Sequence, residues 1–188
     1  MGIFGHILQR SLAHIRRFSS TPQHFPESVA EHSFFTAYIA LILCDLTQAR
    51  GETVDKEKVL AMALVHDKEE AFSGDILTPF KHYSPEITET IRRVNKEVIP
   101  QEFEGLPDTL KERYISLWVE EGEGKSIEAQ MVKTADRLSL IAKCAEEVRV
   151  GNKFFQGIYE KQLSLLKNQE FSWWKKIQEQ VLAQETRD

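Results

Sequence analysis

The sequence has few of the features that mark secreted, membrane-embedded or nucleic-acid-binding proteins. Its 188 residues include only two cysteines, Cys44 and Cys144, and both lie in apolar helical stretches. We therefore expect reduced core thiols and a cytoplasmic protein rather than a disulfide framework. We expect no apolar run that approaches the roughly 18 residues of a membrane span, and therefore no membrane partner. Acidic residues outnumber basic ones by 29 to 24, which leaves no basic surplus for binding nucleic acid.

Strict alternation of apolar and polar residues, the pattern of a half-buried strand, is also missing. Apolar residues recur instead every three or four positions, which predicts an all-α chain of seven to nine helices. A length of 188 residues with 41% hydrophobic content fits one domain over residues 1–188. The sequence therefore predicts a single helical bundle.

Capping signals set the expected helix boundaries. Ser28 and Glu31 form a capping-box pattern that begins a helix running to about Arg50. Asp55 is positioned to cap the next helix, which we expect to fade near Phe72. Other helices are predicted over 3–16, from Ser84 to before Pro100, from Pro107, from Ser126 to Gly151, and as a final pair over 151–188. The helix over 3–16 is expected to be amphipathic and packed on the body. The helix from Ser126 is expected to carry one apolar stripe of Ile127, Met131, Ala135, Leu138, Ile141, Ala142, Ala145 and Val148.

The apolar run that follows Asp55 ends in the dipeptide His66-Asp67. Burial of this helix would carry both side chains inward, and a buried carboxylate needs a partner or a cation. Glu70 would share their face if the helix continues that far. A structural hydrogen-bonded pair explains the dipeptide equally well, so a metal site depends on ligands from elsewhere in the chain.

Two other polar residues are placed to supply such ligands. His32 lies near the start of the helix that Ser28 caps, and Asp136 lies beside the apolar stripe of a long helix. His32 could equally be a core histidine, and Asp136 could pair at the surface with Lys133 or Arg137. The order His32, His66-Asp67, Asp136 in an all-helical chain resembles the signature of the HD-domain metal-dependent phosphohydrolases.

The resemblance extends beyond these four residues. Glu31-His32-Ser33, Glu70, Gly74-Asp75 with Thr78-Pro79, and Val132-Lys133 with Ala135-Asp136 are similar to motifs of the YfbR-like 5′-deoxynucleotidases. The joint spacing of the motifs, over about residues 8–150, is far more specific than any one of them. The resemblance implies an HD-domain helical bundle and a phosphatase that removes the 5′-phosphate of nucleoside monophosphates by a metal-activated water. It also implies a homodimer.

The same resemblance implies a role for individual residues. One divalent ion (Co, Mn, Zn, Fe or Mg) would be held by His32, His66, Asp67 and Asp136, of which Asp67 also counts as catalytic. Glu70 would be the general acid or base, and Arg17 would bind phosphate through its forked guanidinium. The residues implied to contact the nucleotide are Arg17, Phe18, Asp75, Ile76, Leu77 and Thr78. Phe18 stands where the family carries tryptophan, so it keeps a stacking face but has no indole donor.

Three alternatives remain open at this stage. A dinuclear HD oxygenase or diesterase would need further histidine ligands, for which His24 and His82 are available near the motifs. A regulatory module that holds a metal without catalysis would need neither Glu70 nor Arg17. Residues 1–26 contain arginines but no acid, like a transit peptide, although a substrate-binding Arg17 would place this segment in the mature fold.

Overall fold

The computed structural model of the protein describes residues 2–183, and within that range it contains helices and no β-strand. The helices are α1 (Ile3–Ile7), α2 (Val29–Ala49), α3 (Lys56–Val65), α4 (Glu70–Ser73), α5 (Thr78–Lys81), α6 (Pro85–Glu102), α7 (Asp108–Glu123), α8 (Ile127–Arg149), α9 (Gln156–Lys167) and α10 (Ser172–Leu182), with 3₁₀ turns at Ser11–Ala13 and Lys153–Phe155. The all-α prediction is confirmed. Seven of the described helices have ten residues or more, within the expected seven to nine.

Helices α2 and α8 pack against each other at the centre, and α3 packs on both of them. The core is built mainly from these three helices and closed by α7, α9 and α10, whose contributions include Leu117, Leu166, Trp173 and Trp174. Both tryptophans are fully or almost fully buried in this core. The three central helices therefore form the frame on which polar residues can be held at fixed positions.

The predicted caps are present. Ser28 accepts from the Glu31 amide while the Glu31 carboxylate accepts from the Ser28 amide, which is the complete capping box. Asp55 and Ser126 accept from the amides of Lys58 and Ala129 at the starts of α3 and α8. These caps fix where the central helices begin, and so the height of each side chain along the bundle.

Three predicted helix boundaries are wrong. Residues 3–16 contain only α1 and a 3₁₀ turn, and Ile3, Phe4 and Ile7 remain exposed, because no packing compensates for the poor stability of so short a helix. Helix α6 continues through Pro100, since burial of the preceding Val98 and Ile99 outweighs the missing amide.

Helix α3 ends at Val65 rather than near Phe72, and Glu70 begins the separate helix α4. His66 is the C-cap residue of α3, so Glu70 reaches the His66-Asp67 pair across a turn and not along one helix face. The inward stripe predicted for α8 is confirmed at Met131, Ala135 and Ile141 and is wrong at Ala142. Ala142 is exposed there, whereas Lys143 and Glu147 are buried.

Helix α2 tests the expectation that no apolar run is long enough to span a membrane. By length and composition it is long and apolar enough to cross a membrane, so the expectation that no run approaches that length is wrong. The helix is nevertheless a central part of the bundle, in contact with α3 and α8. Core helices of globular folds meet the same two criteria.

Candidate active site

Four predicted ligands converge at the junction of α2, α3 and α8. His32 Nε2 lies 3.0 Å from Asp136 Oδ1 and 3.7 Å from Asp67 Oδ2, and His66 Nε2 lies 3.1 Å from that same Asp67 oxygen. Donor atoms of His32, His66 and Asp67 all lie within 4.8 Å of one another. The structure thus brings His32 together with residues that lie 34 to 104 positions after it in the sequence.

Hydrogen bonds on the far side of each imidazole turn the Nε2 atoms toward this cluster. His66 Nδ1 lies 2.8 Å from the Ala63 carbonyl, which can only accept, so Nδ1 carries the hydrogen. The Ser139 hydroxyl, which can donate as well as accept, lies 3.1 Å from His32 Nδ1 and holds that ring in place. Such outer partners fix the tautomer of metal-binding histidines. Ser139 was not recognised in the sequence, because a serine within a helix carries no signal of this role.

The donor atoms of the cluster need a positive charge between them. His66 Nε2 is buried and has no hydrogen-bond partner, although Asp67 lies close by. An imidazole lone pair 3 Å from a carboxylate oxygen is repelled unless a proton or a cation lies between the two atoms. Two imidazoles and two carboxylates suit a borderline divalent ion, and the set leaves coordination positions for water and substrate.

The cluster otherwise attracts protons strongly. Burial opposes a charge on His66, but the Asp67 carboxylate outweighs it and raises the pKa of His66 to about 10. Burial likewise opposes ionisation of Asp67, yet His66 and His32 hold its pKa well below the usual range. Ligation of a cation requires neutral imidazoles, so metal binding at this site would release protons.

Two carboxyl groups beside the cluster have raised pKa values. Burial, followed by the charges of Asp67 and Asp75, raises the pKa of Glu70 to about 9, and its Oε2 atom is buried without a partner. Burial and Asp67 also raise the pKa of Glu69 to about 7, while its Oε2 accepts from Trp118 Nε1 at 2.7 Å. Burial and the neighbouring carboxylates thus favour the protonated form of Glu70, which lies next to the candidate ligands.

Arg17 is presented by a loop over residues 17–27. Its Nη1 donates to Glu27 Oε2 at 2.8 Å, and its amide donates to the Glu27 carbonyl at 2.9 Å. Arg16 and Ser28 close the base of the loop as an antiparallel bridge. Burial opposes the charge of Arg17, but the Glu27 carboxylate and, after it, those of Asp136 and Asp67 raise the pKa of Arg17. Glu27 thus orients the guanidinium beside the cluster, although Glu27 could not be identified from its sequence position.

Phe18 adopts a left-handed backbone conformation with φ of +53°. This region is unfavourable for a bulky residue, so the surroundings must hold it there. Its amide donates to Asp75 Oδ2 at 2.9 Å, its carbonyl accepts from Gln23, and its ring contacts Phe155 edge-on. The structure therefore joins Phe18 and Asp75, two of the six residues implied to contact substrate.

The other residues of the substrate segment are less closely tied to the cluster. Ile76 is half-buried, and Leu77 and Thr78 are exposed where α5 begins. No side-chain hydrogen bond or ion pair links these three to the candidate ligands in the described part of the chain. Lys68, which directly follows His66-Asp67 in the sequence, points away from the cluster. Its Nζ lies 3.5 Å from Glu102 Oε2.

A buried network anchors the Arg17 loop to α8. The Glu147 carboxylate accepts from the amides of His24 and Phe25 at 3.0 and 2.9 Å, from Lys143 at 2.6 Å and from Asn152 at 2.7 Å. Lys143 also donates to the Phe25 carbonyl. Sequence reasoning missed this network. The i,i+4 spacing of Lys143 and Glu147 on an otherwise buried face was the available signal.

The residues considered for a second metal lie apart from the cluster. Among residues 2–183, His32, His66 and Asp67 form the only group of three or more side chains arranged to share an ion. His24 and His82 are both exposed and do not belong to that group. The described ligands favour a mononuclear centre over the dinuclear alternative.

The helical fold and this cluster define a class of protein, the HD-domain phosphohydrolases. The fold matches the crystal structure of an HD-domain phosphohydrolase from Listeria innocua with a TM-score of 0.82 and 27% identity, over 97% of this chain and 88% of that one. A lower likeness, with a TM-score of 0.65 and 17% identity, relates the fold to the cyanophage S-2L phosphohydrolase DatZ over 96% and 94% of the two chains. The protein is a metal-dependent phosphohydrolase.

Sequence relatives give the family within that class. A family model for 5′-deoxynucleotidase YfbR-like proteins matches residues 4–182, and the chain belongs to that family. The 5′-deoxynucleotidase of Erwinia tasmaniensis is 30% identical over 178 residues, which cover 93% of this chain and 88% of the relative. That of Shewanella oneidensis is 31% identical over 154 residues, or 81% and 77% of the two chains. The family resemblance inferred from the sequence motifs is confirmed.

Proposed function

We propose that the protein hydrolyses the 5′-phosphate ester of deoxyribonucleoside monophosphates with one divalent cation held by His32, His66, Asp67 and Asp136. The observation that carries the proposal is the convergence of these donors around a buried His66 Nε2 that has no hydrogen-bond partner. The relatives' name, 5′-deoxynucleotidase, supports the substrate class. The DatZ structure, which contains dA and one catalytic Zn²⁺, supports a single cation.

Arg17 and Glu70, which lie beside the cluster, each have a part in this reaction. A bound cation would supply a water of lowered pKa and withdraw charge from a phosphoryl oxygen. Arg17 binds two of the remaining phosphate oxygens, because its planar fork matches their geometry. Glu70 carries a proton on its carboxyl group and donates it to the 5′-oxygen as the phosphorus–oxygen bond breaks. A new bond between the water oxygen and phosphorus replaces that bond, and the proton that the water loses returns Glu70 to its acid form.

The substrate segment completes the proposal. Phe18, Asp75, Ile76, Leu77 and Thr78 contact the nucleotide beside the cluster. The direct hydrogen bond from the Phe18 amide to Asp75 supports a shared surface for the first two. The exposure of Leu77 and Thr78 leaves both free to meet a ligand.

The test is phosphate release from a panel of deoxyribonucleoside and ribonucleoside 5′-monophosphates after chelation and re-addition of single metals. We expect Co²⁺ or Mn²⁺ to restore activity, and metal analysis to give one ion per chain. Two ions per chain would favour the dinuclear alternative. Retained metal with no phosphate release in any condition would favour the non-catalytic module.

We also propose that the chain acts as one domain and as a homodimer, without a nucleic-acid or membrane partner, in the cytoplasm. Core residues extend from Ala40 to Ile177, which supports one domain through residue 183. Residues 184–188 of the predicted domain lie outside the described range.

Exposed Phe34, Phe35 and Tyr38 on α2 form an apolar surface that a second copy of the chain would cover. Sedimentation velocity would give twice the chain mass. The buried free cysteines support a reducing compartment.

A further inference from the structure

The side chain of Gln23 links two parts of the loop over residues 17–27. Gln23 is half-buried, and its Nε2 atom donates to the Arg17 carbonyl at 2.7 Å and to the Phe18 carbonyl at 3.1 Å. The nitrogen of a side-chain amide carries two hydrogens, and each of these contacts uses one of them. One side chain therefore holds two consecutive carbonyls at the residue proposed to bind phosphate.

The amide of Gln23 has one favourable orientation in this place. Its Oε1 atom is buried and has no hydrogen-bond partner. Buried acceptors are normally paired, so the unpaired oxygen shows that the contacts of the nitrogen decide how the side chain lies. Rotation of the amide by half a turn would place Oε1 against the two carbonyl oxygens, which would repel it.

The two hydrogen bonds determine the backbone conformation of Phe18. Each carbonyl belongs to a planar peptide group, and the two planes meet at the Phe18 Cα atom. Holding both carbonyls therefore holds Phe18 at its left-handed φ of +53°. Asp75 holds the same residue from the other side, because its Oδ2 atom accepts from the Phe18 amide at 2.9 Å. Without Gln23, we expect Phe18 to relax toward the negative φ that bulky residues prefer.

The same contacts fix the direction in which the Arg17 side chain leaves the backbone. The Arg17 amide donates to the Glu27 carbonyl at 2.9 Å, and the Arg17 carbonyl accepts from Gln23. The peptide groups on both sides of the Arg17 Cα atom are thus held, so its Cα–Cβ bond has one direction. Rotation of either peptide group would move the guanidinium away from the Glu27 carboxylate and from the cluster.

The backbone on both sides of Gln23 is itself anchored. The Pro22 carbonyl accepts from Asn152 Nδ2 at 2.9 Å, and the His24 amide donates to Glu147 at 3.0 Å. Asn152 and Glu147 both belong to the buried network at the end of α8. The ring of Pro22 also fixes its own φ, so little backbone freedom remains where the Gln23 side chain begins. Gln23 thus connects a rigid network to the first residues of the loop.

We infer that Gln23 is a positioning residue for phosphate binding, because its amide holds the Arg17-Phe18 backbone in the conformation that directs the Arg17 guanidinium toward the candidate ligands. The inference rests on the proposed nucleotidase function, in which Arg17 binds two phosphate oxygens. Gln23 acts through Arg17 and not through contact with the phosphate. The sequence offered no signal for this role, since a glutamine after a proline is an ordinary residue of a loop.

The experiment measures KM and kcat for dAMP with Gln23→Met, which keeps the length of the side chain but has no hydrogen to donate. We expect KM to rise roughly 10-fold while kcat and metal content stay those of the wild type, because only the phosphate clamp is displaced. Gln23→Glu places an oxygen against both carbonyls, so KM should rise at least as far. Gln101→Met, at an exposed position of α6, is the matched control and should change neither constant.

A double-mutant cycle tests whether Gln23 acts through Arg17. Substitutions that remove one shared interaction are not additive. In an Arg17→Lys background, Gln23→Met should therefore change kcat/KM by less than about 2-fold. The same fall in both backgrounds would show that Gln23 acts elsewhere, and would overturn the inference.

The inference and the proposed function fail in different ways. If the wild-type protein releases no phosphate, the nucleotidase function is wrong and the inference falls with it. If the wild type is active and Gln23→Met keeps its KM, the function stands and the inference is wrong, even where the melting temperature falls. Circular dichroism melting identifies a variant that does not fold. Gln23→Glu, which has the shape of the native side chain, then replaces Gln23→Met in the same comparison.

Discussion

The ligand cluster and the Arg17 loop meet at one site but are built in different ways. The cluster takes its side chains from α2, α8 and the end of α3, which are held by caps and a shared core. The loop over 17–27 has no regular structure. It is held by hydrogen bonds that Arg17 donates to Glu27, that Gln23 donates to the Arg17 carbonyl and that the loop amides donate to Glu147. The proposed metal site thus depends on helix packing, whereas the proposed phosphate site depends on anchored backbone.

Helix α8 connects the two regions. Asp136, Ser139, Lys143 and Glu147 follow one another at intervals of three, four and four residues, which places them along one helix face. The first two contact His32 in the cluster, and the last two contact the backbone of the Arg17 loop. One rigid element therefore sets the distance between the candidate cation and the candidate phosphate clamp.

The largest expected effect separates ligands from proton carriers within the cluster. Asp136→Ala removes a carboxylate ligand, so we expect loss of bound metal and a fall in kcat of about 10³-fold or more. Glu70→Ala removes only the proton donor, so the metal should stay while kcat falls about 10²- to 10⁴-fold. Metal analysis of both variants beside phosphate-release assays provides the measurement. Loss of metal from Glu70→Ala would overturn this division of roles.

An intermediate effect is expected on the loop side. Arg17→Lys keeps the charge but loses the fork that binds two phosphate oxygens and Glu27, so kcat/KM should fall about 10²-fold. Metal content should remain that of the wild type, because Arg17 is not among the candidate ligands. Arg16→Lys, one residue earlier and exposed, is the matched control and should behave as the wild type. Reduced metal binding in Arg17→Lys would show that the two regions are not separable.

The difference between the regions also explains what the sequence could predict. His32, His66, Asp67 and Asp136 could be proposed as ligands because imidazoles and carboxylates suit a divalent metal and because their order along the chain resembles the HD-domain signature, while helix periodicity predicts the elements that carry them. The end of α3 and the residues buried along the end of α8 could not, because they depend on tertiary packing. Phe18 shows the limit most clearly, since nothing local predicts a left-handed phenylalanine held by Asp75 from 57 positions away.

A substitution at Glu147, which anchors the Arg17 loop to α8, should have the smallest effect on turnover and the clearest effect on stability. Burial would raise the pKa of Glu147, but hydrogen bonds from Lys143, His24, Phe25 and Asn152 outweigh it and lower the pKa to about 2. Glu147→Gln leaves Lys143 buried without its carboxylate, which we expect to lower the free energy of unfolding by about 3 kcal/mol at neutral pH.

A pH series tests whether the charge of Glu147 is the cause. An unfolded glutamate has a pKa of about 4.3, so the carboxylate stabilises the fold above that pH, and the contribution is lost as the pH falls toward about 2. The stability difference between wild type and Glu147→Gln, measured by urea unfolding, should therefore shrink below about pH 4. Glu146→Gln, the exposed neighbour, should show no difference at any pH.

The same Glu147→Gln variant should also affect substrate binding. Loss of the anchor loosens the loop and misplaces Arg17, so KM should rise roughly 10-fold with metal content unchanged. An unchanged KM in a destabilised variant would show that the network supports the fold without positioning Arg17.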